Sequence, residues 1–214
     1  MFKVKKVIIP IAGLGTRMLP VTKVIPKEML AVAGTPVIQY VIKEAINAGF
    51  SEIILISRPG KNLVDNYFQS DLKLESVLKK KLKKSFLKEI KEISRLKAKI
   101  FNVKQREPKG LGHAILCAKS LISNEPFAVM LPDMILDSDY KKTNLALMKK
   151  NFEKSGNSSL LLGKVSKSKV QSYGIAMLKK GNIEKNFFPL EGVIEKPRPK
   201  EAPSNLYVVG RYIF

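Results

Sequence analysis

The chain has 214 residues, 45% of them hydrophobic, and a formal net charge of +21. This length is enough to bury one substantial core, so we expect a single globular domain. No apolar segment approaches the roughly 18 residues of a membrane span, and the first residues lead into a strand instead of an export segment. A single cysteine, Cys117, excludes an internal disulfide and fits a reducing compartment. We therefore expect a cytoplasmic protein with no membrane partner.

The positive charge comes almost entirely from lysine, since only six of the 39 basic residues are arginine. Proteins that read nucleic acids usually cluster basic residues on one face and use arginine for bidentate contacts. Here the lysines are spread over every segment, so no specific nucleic-acid partner is predicted. The alternative, a nucleic-acid binder, predicts tight duplex association with a steep salt dependence.

The segment from Val7 to Pro20 carries the strongest local signal. A short apolar run rich in β-branched residues predicts a buried strand, and it leads into a turn with Gly13, Gly15 and Arg17. Free backbone N–H groups in such a turn form a concavity that binds anions. Since lysines follow closely, at positions 23 and 27, the pattern predicts a cradle for a polyphosphate.

Two better-known phosphate-binding motifs do not match this segment. The dinucleotide fingerprint G-x-G-x-x-G would need a glycine where the chain has Met18, and no P-loop string G-x-x-x-x-G-K-[ST] occurs in the chain.

The next elements alternate between helix and strand. A helix is expected after Gly34, with Thr35 as its cap, Pro36 at its first position and Gly49 at its end. A second buried strand follows at 52–57. Strand–helix–strand alternation predicts a parallel sheet with right-handed crossovers.

Residues 61–96 are predicted to be mostly helical, with large apolar residues at helical spacing. Between Lys79 and Lys109 there are thirteen basic and three acidic residues. A solvated amphipathic helix is favoured over a nucleic-acid or partner-binding arm, because charge blocks on helices are usually exposed faces. The apolar positions are Leu74, Leu78, Leu82, Phe86, Ile90 and Ile93.

Two further strands, at 99–103 and 127–131, end next to polar residues. A helix from Gly110 to Leu121 lies between them, and its first N–H groups are free to face a ligand. His113, the only histidine, is interpreted as structural and not as a general base. Asp133 follows the second of these strands at its carboxyl end, where open α/β sheets bind ligands and a carboxylate suits Mg²⁺.

The last third of the chain changes pattern. A helix at 140–153 and a strand at 158–162 continue the alternation. Strands at 172–178, 193–196 and 206–214 then follow, with turns between them and no helix. This part is predicted to form the second side of a site.

Six blocks of the chain resemble bacterial UTP–glucose-1-phosphate uridylyltransferases, also called UDP-glucose pyrophosphorylases, and they occur in the family's order. The resemblance implies an α/β fold with a three-layer, Rossmann-like open mixed sheet of the nucleotidyltransferase type. It also implies a helical insertion at about 61–96. The blocks are Gly13–Lys23, Ile25–Leu30, Lys109–Ala114, Leu131–Asp133, Glu195–Pro197 and Ala202–Leu206.

The resemblance implies transfer of UMP from UTP to glucose 1-phosphate with release of pyrophosphate, assisted by Mg²⁺ on Asp133. It gives catalytic roles to Arg17, Lys27 and Lys196. Gly174, Glu195 and Val208 would contact the sugar. The nucleotide would be bound by Ala12, Gly13, Leu14, Gly15, Thr16, Glu28, Gln105, Gly110 and Gly112.

The resemblance also implies one domain over 1–214, with a nucleotide-binding half at about 1–135 and a sugar-binding half at about 136–214. A homo-oligomer is expected where the fold is complete. The family pattern continues beyond Phe214 and has its second metal-binding aspartate there. Two alternatives stay open: a related sugar-1-phosphate thymidylyltransferase, and a non-catalytic protein that binds nucleotide sugars.

Overall fold

The structure is a computed structural model that describes residues 3–60, 63–136, 143–179 and 187–214. The first two residues of the predicted insertion and the first three of the helix expected at 140–153 lie outside these ranges. Among the described residues, no helix has the length and apolar character needed to cross a membrane.

Eight of the ten strands in the described parts of the chain form one mixed sheet, in which the order is β5-β4-β1-β6-β10-β8-β9 and β7 also pairs with β10. The other two, β2 and β3, form a small separate hairpin. The strands are β1 Lys6–Pro10, β2 Ala31–Val32, β3 Thr35–Pro36, β4 Glu52–Ser57, β5 Lys99–Lys104, β6 Phe127–Met130, β7 Ser159–Lys164, β8 Gly174–Leu178, β9 Leu190–Glu195 and β10 Leu206–Ile213.

The first half of the chain builds the parallel part of the sheet, as predicted. Strand β1 pairs in parallel with both β4 and β6, and β4 pairs in parallel with β5. Strands β1 and β4 are almost completely buried, which is typical of parallel strands covered on both faces. The carboxyl ends of these four strands therefore meet at one edge of the sheet.

The second half of the chain adds antiparallel strands around β10. This strand pairs with β7 along one side, and on its other side with β8 at Tyr207 and with β6 at residues 211–213. Because Arg211 lies opposite Met130, the residues of β10 before Arg211 extend past the carboxyl end of β6. The antiparallel strands thus reach the same edge at which the parallel strands end.

Helices cover both faces of the sheet. Alternate residues of β1 point to opposite faces: Val7 and Ile9 pack with α1 and α7, whereas Ile8 packs with α5 and α6. These three layers confirm the predicted fold class. The helices are α1 Val37–Asn47, α2 Leu63–Tyr67, α3 Leu72–Lys80, α4 Lys84–Ser94, α5 Leu111–Cys117, α6 Lys119–Ile122 and α7 Asn144–Ser155.

The predicted cap of the first helix is wrong. Thr35 and Pro36 form strand β3 instead, α1 begins at Val37, and no side chain caps it. These two residues pair with β2 in the hairpin, so their backbone is not available to begin the helix. The helix does end where glycine was expected, since Gly49 follows it with a positive φ of 82°.

The predicted helical insertion consists of three short helices, α2 to α4. No residue of α3 or α4 is buried, which agrees with a solvated, lysine-rich surface. However, Leu82 and Phe86, expected on an apolar face, are 78% and 56% exposed. Both ends of the insertion pack against the main core, through Val64, Tyr67 and Phe68 at its start and through Ile93 and Leu96 at its end.

Candidate active site

The predicted nucleotide-binding turn follows β1 at the carboxyl edge of the parallel strands. Gly15 has a φ of 66°, a backbone conformation that residues with a side chain rarely adopt. A Cβ atom added there would lie 3.1 Å from Cγ2 of Thr22. The hydroxyl of the buried Thr22 donates a hydrogen bond to the Gly15 carbonyl at 2.8 Å, which stabilises the turn. Gly13, Leu14 and Thr16 are exposed, whereas Ala12 is buried.

Arg17 lies in a 3₁₀ turn, Thr16–Met18, directly after this glycine. Its side chain is exposed and forms no ion pair with any described residue. An unpaired guanidinium beside a turn of free N–H groups can meet an anionic ligand without first breaking a protein contact.

Lys27 and Asp133 are 106 residues apart in sequence but form an ion pair, with 2.9 Å between Nζ and Oδ2. Lys27 also borders the glycine turn, because a Cβ atom on Gly13 would lie 3.9 Å from its Cε. The half-exposed Asp133 follows β6. The structure therefore brings together the turn, a predicted catalytic lysine and the predicted metal ligand.

Glu28 is 2% exposed, and within the described structure neither carboxyl oxygen has a hydrogen-bond partner. Burial raises the pKa of this carboxyl to about 7, and the charge of Asp133 acts in the same direction. The N–H of Glu28 itself and the positive charges of Lys27 and Arg58 lower the pKa by less. A buried carboxyl without a partner from another residue is costly in a folded protein.

The predicted uracil-side residues also meet. Gln105 follows β5 and is buried, and its Nε2 lies 3.3 Å from the Gly110 carbonyl and 3.0 Å from Nδ1 of His113. Gly110 precedes α5 with a φ of 88°, and Gly112 in its first turn is exposed. The contact with Gln105 gives the His113 ring a hydrogen-bond partner within the protein, which is compatible with a structural role.

The three predicted sugar-side residues are neighbours across three strands. Gly174 lies opposite Glu195 in the β8–β9 pairing. A Cβ atom on Gly174 would lie 3.2 Å from Oε2 of Glu195 and 3.9 Å from Cγ2 of Val208. Lys196 follows with a φ of 47°, and its Nζ lies 3.2 Å from Oε1 of Glu195. Both side chains of this ion pair are exposed and accessible to a ligand.

Sequence reasoning missed three residues at this edge. Thr22 lies between the two cationic segments and gave no signal. Arg58 follows β4, and its charge acts on the Glu28 carboxyl. Arg211 is completely buried in β10, and a lone arginine in an otherwise apolar strand was the signal that could have identified it.

The residues present are compatible with a magnesium ion, which Asp133 would hold. Among the described residues no three His, Cys, Asp or Glu side chains cluster, so the protein would supply few of the ligands. Mg²⁺ is often held by one or two carboxylates together with substrate phosphates, and the Asp133 carboxylate is half exposed beside the glycine turn. This donor set fits a cation that arrives with a triphosphate.

Comparison with known proteins agrees with this geometry. The model of the nucleotidyl transferase family matches residues 6–214. The UTP–glucose-1-phosphate uridylyltransferase of Haemophilus influenzae is 46% identical over 98% of the chain and 72% of its own length. A UTP-bound UGPase from Acinetobacter baumannii is 40% identical, with a TM-score of 0.92 over 99% of the chain and 74% of its own.

A UDP-glucose pyrophosphorylase in complex with UDP-glucose is 37% identical, with a TM-score of 0.86 over 99% of the chain and 76% of its own. The sequence and structural similarities both extend over nearly the whole chain. The chain belongs to the nucleotidyl transferase family, and within it to the UTP–glucose-1-phosphate uridylyltransferases.

Proposed function

We propose that this protein transfers UMP from UTP to α-D-glucose 1-phosphate and releases pyrophosphate, giving UDP-glucose. The observation that carries the proposal is the Lys27–Asp133 contact beside the Gly13–Gly15 turn. It combines backbone donors, a cation and a metal-binding carboxylate at the carboxyl edge of a parallel sheet. Relatives named for this reaction, at 46% identity, support it.

The reaction needs no general base, because the attacking phosphate of glucose 1-phosphate is already an anion. Catalysis then consists mainly of positioning and charge neutralisation in an in-line displacement at the α-phosphorus of UTP. The bond from that phosphorus to the bridging oxygen breaks, and pyrophosphate leaves. The protein groups have to align the two anions and offset their repulsion.

The glycine turn and Arg17 bind the leaving side of the triphosphate in this proposal. Backbone N–H groups from Gly13 to Thr16 donate to phosphate oxygens, and the free Arg17 guanidinium stabilises charge on the departing pyrophosphate. Lys27 bridges the phosphates from the other side of the turn.

Asp133 would hold Mg²⁺, which supplies charge neutralisation at the phosphate oxygens. In the protein alone, the Lys27 ammonium neutralises the Asp133 carboxylate. When a triphosphate is bound, the same ammonium can turn to the phosphates.

The nucleoside and the sugar occupy opposite ends of the site in this proposal. Gln105, with Gly110 and Gly112, contacts the uracil base, and the unsatisfied Glu28 carboxyl meets another polar group of the nucleotide. At the other end, Gly174 leaves room beside Glu195 and Val208 for the glucose ring. Lys196 then meets the sugar phosphate.

We further propose that the enzyme acts in the cytoplasm, as a homo-oligomer. A single cysteine supports a reducing compartment. Light scattering coupled to size exclusion measures the assembly, and a strictly monomeric chain would contradict this part.

The deciding experiment measures pyrophosphate release from UTP plus glucose 1-phosphate, with and without Mg²⁺, and repeats it with dTTP. We expect turnover that requires Mg²⁺ and favours UTP. In Lys196→Ala, turnover should fall by about a hundredfold, as for other groups that stabilise charge. Lys200→Ala, an exposed lysine nearby, is the control and should resemble the parent. Binding of UDP-glucose without pyrophosphate release would identify a non-catalytic binding protein instead.

A further inference from the structure

The arginine of strand β10 lies beside the end of β6, and the predicted metal ligand follows that end by three residues. Arg211 is opposite Met130, and its side chain is 0% exposed. The pairing of β10 with β7 is irregular between Val208 and Tyr212, and Gly210 there has a φ of 81°. Such a bulge redirects the side chains that follow it, and bulges occur often beside active sites.

Arg211 attaches three segments to one another through its guanidinium. It forms a forked pair with Glu44 of α1, with 2.7 Å between Nη2 and Oε2 and 3.1 Å between Nε and Oε1. It also donates from Nη1 to the Leu131 carbonyl at 3.0 Å and from Nη2 to the Met134 carbonyl at 2.8 Å. Those two carbonyls lie on either side of Asp133 in the chain.

The backbone beside Arg211 makes a second attachment to the same loop. The Leu131 N–H donates to the Gly210 carbonyl at 2.9 Å. A Cβ atom on Gly210 would lie 2.9 Å from Cδ1 of Leu131, so the strand and the loop are in close contact. The start of the loop is therefore held by both a side chain and the backbone of β10.

We propose that Arg211 is a positioning residue, which holds the 131–134 loop so that the Asp133 carboxylate faces the phosphates and their metal ion. The inference rests on the proposed function, because it takes the role of Asp133 from it. Glu44 acts with Arg211 by fixing the plane of the guanidinium.

Core stability alone does not explain this arrangement. Burying an arginine and a glutamate requires their desolvation, and well-packed apolar residues often replace such pairs with no loss of stability. An apolar side chain at 211 would leave the Leu131 and Met134 carbonyls without this donor. What the guanidinium adds is a defined position for the segment between them.

The test compares Arg211→Lys, which keeps the charge and removes the fork, with Lys6→Met. Lys6 is a matched control, since it is a buried cation of the same sheet that binds the Leu121 carbonyl at 2.7 Å and Glu125 at 3.1 Å. Two properties are measured on folded protein. The first is the hydrogen exchange of the 131–136 segment. The second is the affinity for Mn²⁺ in the presence of UTP, measured by electron paramagnetic resonance. Turnover is measured separately.

In Arg211→Lys we expect faster exchange in 131–136, Mn²⁺ affinity about tenfold weaker, and a lower kcat with little change in KM for glucose 1-phosphate. Lys6→Met should lower the melting temperature and leave all three unchanged. If folded Arg211→Lys keeps the parent Mn²⁺ affinity and kcat, Arg211 is structural only and the inference is overturned.

Glu44→Gln provides the same readouts if Arg211→Lys does not fold, and there a weaker Mn²⁺ affinity supports the inference while the parent affinity overturns it. The two proposals can fail separately. A parent protein that binds UTP with Mn²⁺ but releases no pyrophosphate contradicts the proposed function, while the exchange and affinity data still decide the role of Arg211.

Discussion

The parallel and antiparallel parts of the sheet build their halves of the candidate site in different ways. In the parallel part, strand β1 ends in a contiguous loop that carries Gly13, Gly15 and Arg17. In the antiparallel part, Gly174, Glu195 and Val208 come from three strands and meet only through the pairing register. A phosphate site can thus be read as a motif, whereas a sugar site of this kind depends on strand pairing.

The difference predicts that the loop after β1 stabilises charge on the leaving group, so its Arg17 should affect turnover strongly. In Arg17→Ala we expect kcat to fall by about 10² to 10³, a loss of about 3 kcal/mol of transition-state stabilisation, because the free guanidinium offsets charge on the leaving pyrophosphate. Steady-state kinetics on UTP measure the effect. Arg95→Ala, an exposed arginine outside the site, is the control, and equal losses in both variants would contradict the assignment.

The buried carboxyl of Glu28 tests the electrostatics of the same half. Its folded pKa, raised to about 7, lies above the unfolded value, so the protein loses stability as pH rises from about 4.5 through 7. Glu28→Gln removes this loss. The free energy of unfolding of the variant relative to the parent should rise by up to about 3 kcal/mol between acid and pH 8.

Urea denaturation at several pH values measures the difference for Glu28→Gln. Glu107→Gln serves as the control, because Glu107 is exposed and paired with Lys109, and surface ion pairs contribute little to stability. A constant difference between the Glu28 variant and the parent would mean that folding does not change the pKa of Glu28, and would contradict this prediction.

The strand residues of the antiparallel part should affect the binding of glucose 1-phosphate and leave the binding of UTP unchanged. In Gly174→Ala the added Cβ would lie 3.2 Å from Glu195 Oε2 and from Val193 Cγ1. We expect KM for glucose 1-phosphate to rise about tenfold with KM for UTP unchanged, since a misfit of one methyl group in a pocket is worth 1 kcal/mol or more.

Gly192→Ala is the matched control for this substitution, because its Cβ would lie 3.3 Å from the flexible end of Met177, elsewhere in the same strand pair. Its kinetics should resemble the parent. A rise in the KM for UTP in Gly174→Ala would remove the distinction between the two halves.

The smallest expected effect concerns the support of the glycine turn. Thr22→Val removes the hydroxyl that binds the Gly15 carbonyl, and we expect a loss of about 1 kcal/mol in the free energy of unfolding together with a higher KM for UTP. Thr143→Val loses a comparable buried hydroxyl, the cap of α7, and should lose stability alone. Unfolding curves and UTP kinetics on both variants separate the two effects.

Local sequence predicted the elements well where the hydrophobic pattern was regular or where a glycine marked the end of a helix. The buried strands β4 and β6 were predicted within one residue of their observed bounds, the apolar run from Val7 forms β1, and Gly49 follows α1 as expected. The cap at Thr35 failed because pairing with Val32 satisfied that backbone first. Tertiary pairing overrode a local propensity there, and the exposure of Leu82 and Phe86 likewise could not be read from helical spacing.

The sequence by itself determined the fold class, the glycine turn that follows the first strand and the position of Asp133 at a strand end. These depend on residues adjacent in the chain and on the hydrophobic period. Only the tertiary structure decided that Lys27 pairs with Asp133, that Glu28 has no partner among the described residues, and that Arg211 holds the Asp133 loop. Such contacts join residues 77 or 106 positions apart, and strand order and register, which no local pattern encodes, bring them together.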